Sequence, residues 1–211
     1  MSADALVAAD ALVAAGVATL HEAAGRSGLF RDLRLLAGGP FAGPALTVAL
    51  PAGDNLGIHA ALATAGEGAV LCVASGGGGR YGVLGELIAL AARARGLAGI
   101  VIEDGVRDVD LLGSCPSVAA AAVSAEGTIK RCVIDLGKPI AVAGVLVEPG
   151  DWVVGDADGV LVLPHERVSA ILEKARERGA RESAIRGRLA AGATTVEVLG
   201  LTELIERGSK R

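Results

Sequence analysis

The stretch Ala69–Ile102, AVLCVASGGGGRYGVLGELIALAARARGLAGIVI, decides the fold class of this chain. It begins and ends with short apolar runs, AVLCVA and GIVI, whose length and content of β-branched residues are typical of buried strands. Between them, VLGELIALAARARG predicts a helix. A strand, a helix and a second strand in this order form a parallel unit, because the helix carries the chain back to the edge where the first strand began.

The same alternation continues on both sides of this stretch. Upstream, Ala45–Leu50 (ALTVAL) predicts a strand, and NLGIHAALATAG predicts a helix that stops at Gly66. Downstream, VAAAAV is a candidate for a further strand of the same layer. The β–α–β–α–β order therefore predicts a mainly parallel central sheet.

The two ends of the chain are predicted to be helical. DALVAADALVAAG predicts an Ala-rich helix that ends near Gly16, followed by a second helix. In IAVAGVLVEPGDWVVGDADGVLVLP, turn signals cut apolar runs into hairpin-like strands. After Pro164, HERVSAILEKARER has one apolar face, and helical character resumes in ESAIRGRLAAG. We predict one α/β domain over residues 1–211, with N-terminal helices at 1–40, an α/β core at 41–164 and C-terminal helices at 165–211.

Composition excludes several classes of protein. Hydrophobic residues make up 52% of the chain but aromatic residues only 2%, and the net charge is −4 without a basic tract, which argues against a nucleic-acid partner. No apolar run reaches the length of about 18 residues that a membrane span needs. The three cysteines, Cys72, Cys115 and Cys132, form no C-x-x-C pair, so neither a zinc site nor a disulfide framework is predicted. We expect a cytoplasmic protein with reduced thiols and no membrane partner.

A glycine-rich segment, GGGGRYG, is the first candidate site. Gly77, Gly79 and Gly82 satisfy the pattern G-x-G-x-x-G between a predicted strand and a predicted helix, and Glu103 follows 21 residues after Gly82. This is the context of a dinucleotide-binding fingerprint. A flexible turn or a backbone cradle for a small anion fits the same residues. A nucleotide-dependent enzyme therefore stays open as an interpretation.

The second candidate is the charged segment IVIEDGVRDVDLL, which follows a predicted buried strand. Ligands of open α/β sheets bind at the carboxyl ends of the strands. Asp108 can supply an oxygen ligand to Mg²⁺, and Arg107 can hold a planar carboxylate with two parallel hydrogen bonds. Glu86 comes from the neighbouring loop. A solvated acidic loop with a surface Arg–Asp pair fits the spacing equally well.

Nucleophilic catalysis has little support in the sequence. His21, His59 and His165 are isolated from one another, so helical or surface positions are predicted for them. No G-x-S-x-G motif is present.

The segment GELIALAARARGLAGIVIEDGVRDVDLL resembles the family that joins RraA-like proteins, which regulate ribonuclease E, to the 4-hydroxy-4-methyl-2-oxoglutarate aldolases. The likeness extends to FAGPALTVALPAGDNLGIHAAL, to GVLVEPGDWVVGDADGVLVLP and to RESAIRGRLAAG. It implies an α/β sandwich with a swivelling-domain-like core and helical N- and C-terminal extensions. It also implies a homotrimer or hexamer with active sites between neighbouring subunits.

The resemblance to the aldolase branch implies a metal-dependent lyase. Such enzymes use Mg²⁺ or Mn²⁺, cleave 4-hydroxy-4-methyl-2-oxoglutarate and related 2-oxo acids to pyruvate, and decarboxylate oxaloacetate. Both reactions leave pyruvate enolate, an anion that a divalent cation stabilises. The alternative implied by the same family is a protein-binding regulator of ribonuclease activity that does no chemistry.

The family's functional positions can be matched residue by residue. By resemblance, Arg107 holds the pyruvate moiety, Asp108 is the direct metal ligand, and Glu86 is the acidic residue behind a metal-bound water. The backbone that receives the substrate carboxylate is expected at Gly85, Leu87 and Ile88.

Two further positions bear on that match. Glu182 corresponds to an acidic residue supplied by a neighbouring subunit. Asp104 departs from the family, because a glycine usually occupies its place, and it is expected to add negative charge near the metal. The regulatory branch commonly lacks the acidic residue after the arginine, so Asp108 favours an enzyme.

Overall fold

The computed structural model of the protein describes residues 2–114 and 116–208. The helices are α1 (Ala3–Ala15), α2 (Val17–Ala23), α3 (Leu56–Thr64), α4 (Glu86–Ala94), α5 (Val168–Ala190), α6 (Thr195–Leu199) and α7 (Thr202–Gly208). The strands are β1 (Arg34–Ala37), β2 (Phe41–Leu50), β3 (Val70–Ser75), β4 (Gly82–Leu84), β5 (Gly99–Val106), β6 (Ser117–Val123), β7 (Asp135–Leu136), β8 (Ile140–Val142), β9 (Val145–Val147), β10 (Trp152–Asp156) and β11 (Gly159–Leu163). Short 3₁₀ helices cover Val109–Ser114 and His165–Arg167.

The main sheet has the strand order β1-β6-β5-β3-β2-β10-β11. Its centre, β6-β5-β3-β2, is parallel, as the alternating sequence pattern predicts. The hairpin β10–β11 adds antiparallel strands on one side and β1 adds an antiparallel strand on the other. The predicted hairpin character of residues 140–163 is confirmed by β8–β9 and β10–β11.

The sheet curls until its two edges nearly meet. Leu29 forms a bridge with Leu161, and the Phe30 N–H donates to the Val160 carbonyl at 2.9 Å. The segment before β1 therefore lies against β11, and the sheet is almost a closed barrel. The α/β class with helical ends is confirmed, and β1 shows that residues 1–40 contribute a strand as well as helices.

Alternating side chains of the strands fill the barrel on one face and meet helices on the other. In β3, Val70 and Cys72 belong to the interior cluster, whereas Leu71 and Val73 pack with α3 and α4. This period of two is the expected consequence of a strand buried on both faces. Helices α1, α2 and α5 cover the outer face of the β10–β11 hairpin in a separate cluster.

The C-terminal helix is longer than the sequence predicts. Residues 168–190 form the single helix α5 of 23 residues, without a break before ESAIRGRLAAG. Ion pairs from Glu182 to Arg178 at 2.8 Å and to Arg186 at 3.8 Å follow the i,i+4 spacing along it. These pairs stabilise the helix, which continues through Gly179 and Gly187.

Two features bear on the expected environment of the protein. Among the described residues no single helix is long and apolar enough to cross a bilayer, although α1 and α2 together reach that length across a 99° bend. Cys72 is a buried free thiol and Cys132 an exposed one, while Cys115 lies outside the described residues.

Candidate functional site

The charged loop and the start of α4 lie side by side. Residues 82–84 form the strand β4 rather than the first turn of a helix, because Val83 and Leu84 are fully buried and β4 pairs with β5. Helix α4 consequently begins only at Glu86. The Arg107 N–H donates to the Leu84 carbonyl at 2.9 Å, and the Glu86 N–H donates to Asp108 Oδ2 at 3.2 Å.

Gly85 allows this close approach. A Cβ atom at Gly85 would lie 2.4 Å from Asp108 Oδ2 and 3.1 Å from Arg107 Nε. Asp108 itself adopts φ 57°, in the left-handed region, and its carbonyl accepts a hydrogen bond from the Leu111 N–H at 2.9 Å. This kink turns the Asp108 carboxylate back over Gly85 and the N-terminus of α4. Such strained conformations of non-glycine residues are concentrated at functional sites.

Arg107 and Asp108 stand at the mouth of a cleft of about 530 Å³. The cleft is lined by Asn55, His59, Gly82, Val83, Gly85, Glu86, Leu87, Ile88, Arg107, Asp108, Leu111, Gly127, Thr128 and Lys130. Arg107 Nε lies 3.7 Å from Asp108 Oδ2, and their side chains are 49% and 41% exposed. The structure thus brings the predicted residues Glu86, Arg107 and Asp108 into one cleft that a small molecule can enter, while Asp110 lies exposed on the adjoining 3₁₀ helix.

The first turn of α4 presents backbone donors to this cleft. The N–H groups of Leu87 and Ile88 have no acceptor within the described chain, as is usual for the first turn of a helix. The Leu87 side chain is 80% exposed and Ile88 is buried beneath the helix. The backbone at Gly85, Leu87 and Ile88 is therefore free to bind a carboxylate, which is the role predicted for it. The helix dipole also favours an anion at this end of α4.

Residues 124–134, the crossing segment, form one wall of the cleft. The segment starts at the glycine-rich loop, where the Gly82 N–H donates to the Glu126 carbonyl at 2.8 Å and Arg80 pairs with Glu126 at 2.9 Å. It ends beside α3, where the Ile129 N–H donates to the Gly53 carbonyl at 2.9 Å. Thr128 and Lys130 of this segment line the cleft. No sequence pattern indicates a role for this segment.

Buried Asp54 fastens the end of the crossing segment. Its Oδ2 accepts hydrogen bonds from the N–H groups of Arg131 at 2.8 Å and Cys132 at 3.0 Å, and its Oδ1 accepts one from Leu56 at 2.8 Å. Burial alone would raise the pKa of Asp54, but these three donors and the charge of Arg131 outweigh it and hold the pKa below its usual value. The charged carboxylate thus stabilises the wall that carries Lys130.

Two acidic residues of the charged segment, Glu103 and Asp104, have structural roles and do not line the cleft. Glu103 and Asp104 lie within β5, which runs past Ile102 to Val106. Asp104 is fully buried and accepts hydrogen bonds from Ser75 Oγ at 2.8 Å and from the Tyr81 N–H at 3.1 Å. Its carboxylate thus holds the glycine-rich loop and does not line the cleft, so the expected extra charge beside the metal is not found there.

The glycine-rich loop departs from a dinucleotide-binding fingerprint. Gly82 opens β4 instead of a helix, and a Cβ at Gly77 would lie 1.9 Å from Asp104 Oδ2. The Glu103 carboxylate accepts hydrogen bonds from the N–H groups of Ser75 at 2.8 Å and Ala143 at 2.7 Å. Glu103, the acid that completes the fingerprint pattern, therefore already accepts hydrogen bonds from the backbone. Close packing against Asp104 explains the glycine at position 77.

Glu182 lies in a different place from the other predicted residues. It stands on α5, paired with Arg178 and Arg186, and borders a groove between α1 and α5. Within one chain it does not line the cleft of Arg107 and Asp108. Only a neighbouring subunit could bring such a residue to that cleft, which is the arrangement that the sequence resemblance implies.

The cleft also contains residues that sequence reasoning missed. Asn55, directly before α3, His59, within α3, and Lys130 also line it. Burial lowers the pKa of His59, and the positive charge of Lys130 lowers it further. Asn55 could have been identified from the sequence, because it directly precedes the predicted helix in DNLGIHAAL. The position of Lys130 depends on the course of the crossing segment, which no local pattern indicates.

The donor set fits a hard cation that retains water ligands. Asp108 offers a half-exposed carboxylate, and Glu86 adds a second in the same cleft. In the described part of the chain no three His, Cys, Asp or Glu side chains converge as a metal site, so the arrangement that Zn²⁺ requires is not found there. Mg²⁺ and similar ions are commonly held by one or two carboxylates together with water and substrate oxygens.

Replacing Asp54 with Asn should loosen the crossing segment. The amide keeps one acceptor but places a donor beside N–H groups that need acceptors, so we expect the free energy of unfolding to fall by roughly 1–3 kcal/mol. Hydrogen exchange at the Arg131 and Cys132 amides should accelerate. In the parent protein, the stabilisation by Asp54 is present above the unfolded-state pKa of about 3.9 and is lost as pH falls through the lower folded-state value. Unchanged exchange in Asp54→Asn would contradict this role.

Comparison with known proteins gives consistent matches. A relative from Halalkalibacterium halodurans, named "Putative 4-hydroxy-4-methyl-2-oxoglutarate aldolase", is 32% identical over 148 residues, which are 67% of this chain and 68% of the relative. A relative of the same name from Burkholderia mallei is 42% identical over 123 residues, which are 58% of this chain and 74% of the relative.

Among solved structures, Streptomyces coelicolor RraAS2, described as an unusual member of the RNase ES inhibitor RraA protein family, matches with a TM-score of 0.74 and 26% identity. The match covers 83% of this chain and 95% of that one. The family model described as "RraA-like: Aldolase/RraA" matches residues 5–162, so this chain belongs to the RraA-like family.

Proposed function

We propose that the protein is a divalent-metal-dependent lyase that releases pyruvate from 2-oxo acids, by retro-aldol cleavage of 4-hydroxy-4-methyl-2-oxoglutarate-type substrates and by decarboxylation of oxaloacetate. The observation that carries the proposal is the placement of Arg107 and Asp108 over Gly85, beside the unpaired N–H groups of α4. Relatives that are 32–42% identical and carry an aldolase name support the general class of reaction.

The substrate's carboxylate meets two kinds of donor in this cleft. The Leu87 and Ile88 N–H groups can receive one carboxylate oxygen at the N-terminus of α4. The Arg107 guanidinium, half exposed at the mouth of the cleft, can hold the 2-oxo and carboxylate oxygens of the same molecule.

The reaction requires groups that stabilise the negative charge of the enolate and a group that accepts the proton of the 4-hydroxyl. When bound at Asp108, Mg²⁺ or Mn²⁺ supplies a Lewis acid for the 2-oxo group. Arg107 adds a fixed positive charge near the oxygen on which the enolate charge develops. The Glu86 carboxylate, in the same cleft, can hold a water that takes the proton of the 4-hydroxyl group as the C3–C4 bond breaks.

Regulation of a ribonuclease is the second candidate function. It is favoured by the match to RraAS2, whose description names an RNase ES inhibitor. This function would use an outer surface and would not require Asp108. The two candidates differ in one observable, because only the lyase releases pyruvate.

The active site is proposed to lie between neighbouring subunits. We infer a homotrimer, or a hexamer of two trimers, in which Glu182 of one chain completes the cleft of the next. Its side chain is 38% exposed at the groove between α1 and α5, where a second chain can reach it.

Arg107→Lys should lose most activity although the positive charge remains. Lysine presents a point charge and cannot form two parallel hydrogen bonds to a planar carboxylate. We expect kcat/KM for oxaloacetate, measured by coupled pyruvate detection with Mg²⁺, to fall by about 10²-fold, or roughly 2.7 kcal/mol of transition-state stabilisation. Arg131→Lys is the matched control, because the exposed Arg131 side chain does not line the cleft. Near-equal activity of both variants would show that Arg107 is only a surface charge.

Subunit mixing tests the donated residue. Arg107→Ala disables the cleft on its own chain, and Glu182→Gln disables the cleft of the neighbour. Once each variant is shown to be inactive and correctly assembled, co-refolding of the two should restore part of the activity, because some interfaces then pair an intact Arg107 with an intact Glu182. Mixed assemblies that stay inactive would contradict the assignment of Glu182.

A further inference from the structure

A pocket apart from the cleft lies between the end of α2 and α5, and cationic side chains dominate its lining. Its volume is about 330 Å³, and it shares no lining residue with the cleft of Arg107 and Asp108. We call it the α2–α5 pocket. Its charged lining residues are Arg167, Lys174, Arg178, Arg181, Glu22 and Glu177.

Helix geometry places the four cations side by side. Lys174, Arg178 and Arg181 follow the spacing i, i+4, i+7 of one helix face. Arg167 precedes Lys174 by seven residues, and a step of seven residues turns only about 20° around a helix. Arg167, Lys174 and Arg181 are exposed and form no ion pair within residues 2–114 and 116–208. Three uncompensated cations therefore border one concavity.

The acidic residues of the pocket neutralise little of this charge. Glu22 is already engaged by Arg26 at 3.1 Å and by Arg178 at 3.8 Å, and Arg178 also pairs with Glu182 at 2.8 Å. Glu177 is the other carboxylate at the pocket, and its side chain is exposed to solvent. The last carbonyl groups of α2 accept hydrogen bonds from the turn that follows the helix. The pocket thus keeps a net positive charge and a set of N–H donors.

The surroundings of the pocket favour a compact anion. Glu166, Glu173 and Glu177 each directly precede one of the cations, so they form an acidic row about 100° further round the helix. An extended polyanion such as a nucleic acid would lie across both rows and would be repelled by the acidic one. A ligand confined to the pocket meets mainly the cations, and a volume of about 330 Å³ is at the lower end of the range for small-molecule sites.

We propose that the α2–α5 pocket binds a small molecule that carries a diphosphate group. Guanidinium groups form paired hydrogen bonds to phosphate oxygens, and a lysine ammonium adds a point charge. A diphosphate group holds several negative charges close together, so it can accept hydrogen bonds from Arg167, Lys174 and Arg181 at once. The inference goes beyond the proposed function and does not depend on it, because none of these three residues lines the cleft.

Calorimetric titration with sodium diphosphate in metal-free buffer tests the site. The parent protein should bind one diphosphate per chain, and the double variant Lys174→Gln/Arg181→Gln should bind it about 10-fold more weakly. Arg176→Gln/Arg186→Gln is the matched control. It removes the same two charges from α5, but neither residue lines the pocket, so it should keep the affinity of the parent protein.

Two further titrations locate the ligand and identify its source. Arg107→Ala should leave the affinity for diphosphate unchanged, because the cleft is not the binding place. ADP presents the same group within a nucleotide, and its affinity should depend on Lys174 and Arg181 in the same way. If ADP binds more tightly than diphosphate, the site holds a nucleoside diphosphate, and if it does not, the free anion is the ligand.

Several results would overturn the proposal. These are the absence of diphosphate binding to the parent protein, a loss in Lys174→Gln/Arg181→Gln no greater than in the control, and a loss of binding in Arg107→Ala. A single-stranded oligonucleotide that binds more tightly than diphosphate through Lys174 and Arg181 would also contradict it, because the surface would then recognise an extended polyanion.

Discussion

The candidate site depends on one constraint, the close contact between the ends of β4 and β5. The Arg107 N–H donates a hydrogen bond to the Leu84 carbonyl at 2.9 Å. This bond brings the two following residues, Gly85 and Asp108, into contact. Only a residue without a Cβ fits there. The Asp108 carboxylate, the Arg107 guanidinium and the N-terminus of α4 consequently lie together. They would not do so if the helix began at residue 83.

Buried carboxylates build the scaffold around that contact. Asp104 and Asp54 are both almost inaccessible to solvent and both accept several hydrogen bonds, Asp104 beneath the glycine-rich loop and Asp54 at the end of the crossing segment. Their hydrogen bonds offset the cost of burying the charge. The acidic residues of the chain thus divide into those that fasten loops and those, such as Asp108 and Glu86, that face the cleft.

Sequence patterns predicted the parts of this arrangement that follow from local periodicity. The parallel β2-β3-β5-β6 layer, the hairpins and the terminal helices follow from apolar spacing and turn residues, and the adjacency of Glu86 to Asp108 follows from the parallel order of the strands. The sequence predicts a helix from Val83, whereas α4 begins at Glu86, because Val83 and Leu84 suit a helix as well as a buried strand. The functions of Glu103 and Asp104 could not be predicted, since a carboxylate inside a strand and one in a loop look alike in a sequence. Asn55 and Lys130 line the same cleft only because tertiary contacts hold the crossing segment beside α3.

The most direct test of the proposed function is the metal dependence of pyruvate release at Asp108. Oxaloacetate and 4-hydroxy-4-methyl-2-oxoglutarate would be supplied to the purified protein with Mg²⁺, with excess chelator, and with Asp108→Asn in place of the parent protein. The account predicts pyruvate release that chelator abolishes and Mg²⁺ restores, and an Asp108→Asn variant that stays folded but inactive in all conditions. Pyruvate release that resists chelator, or full activity of Asp108→Asn, would contradict it.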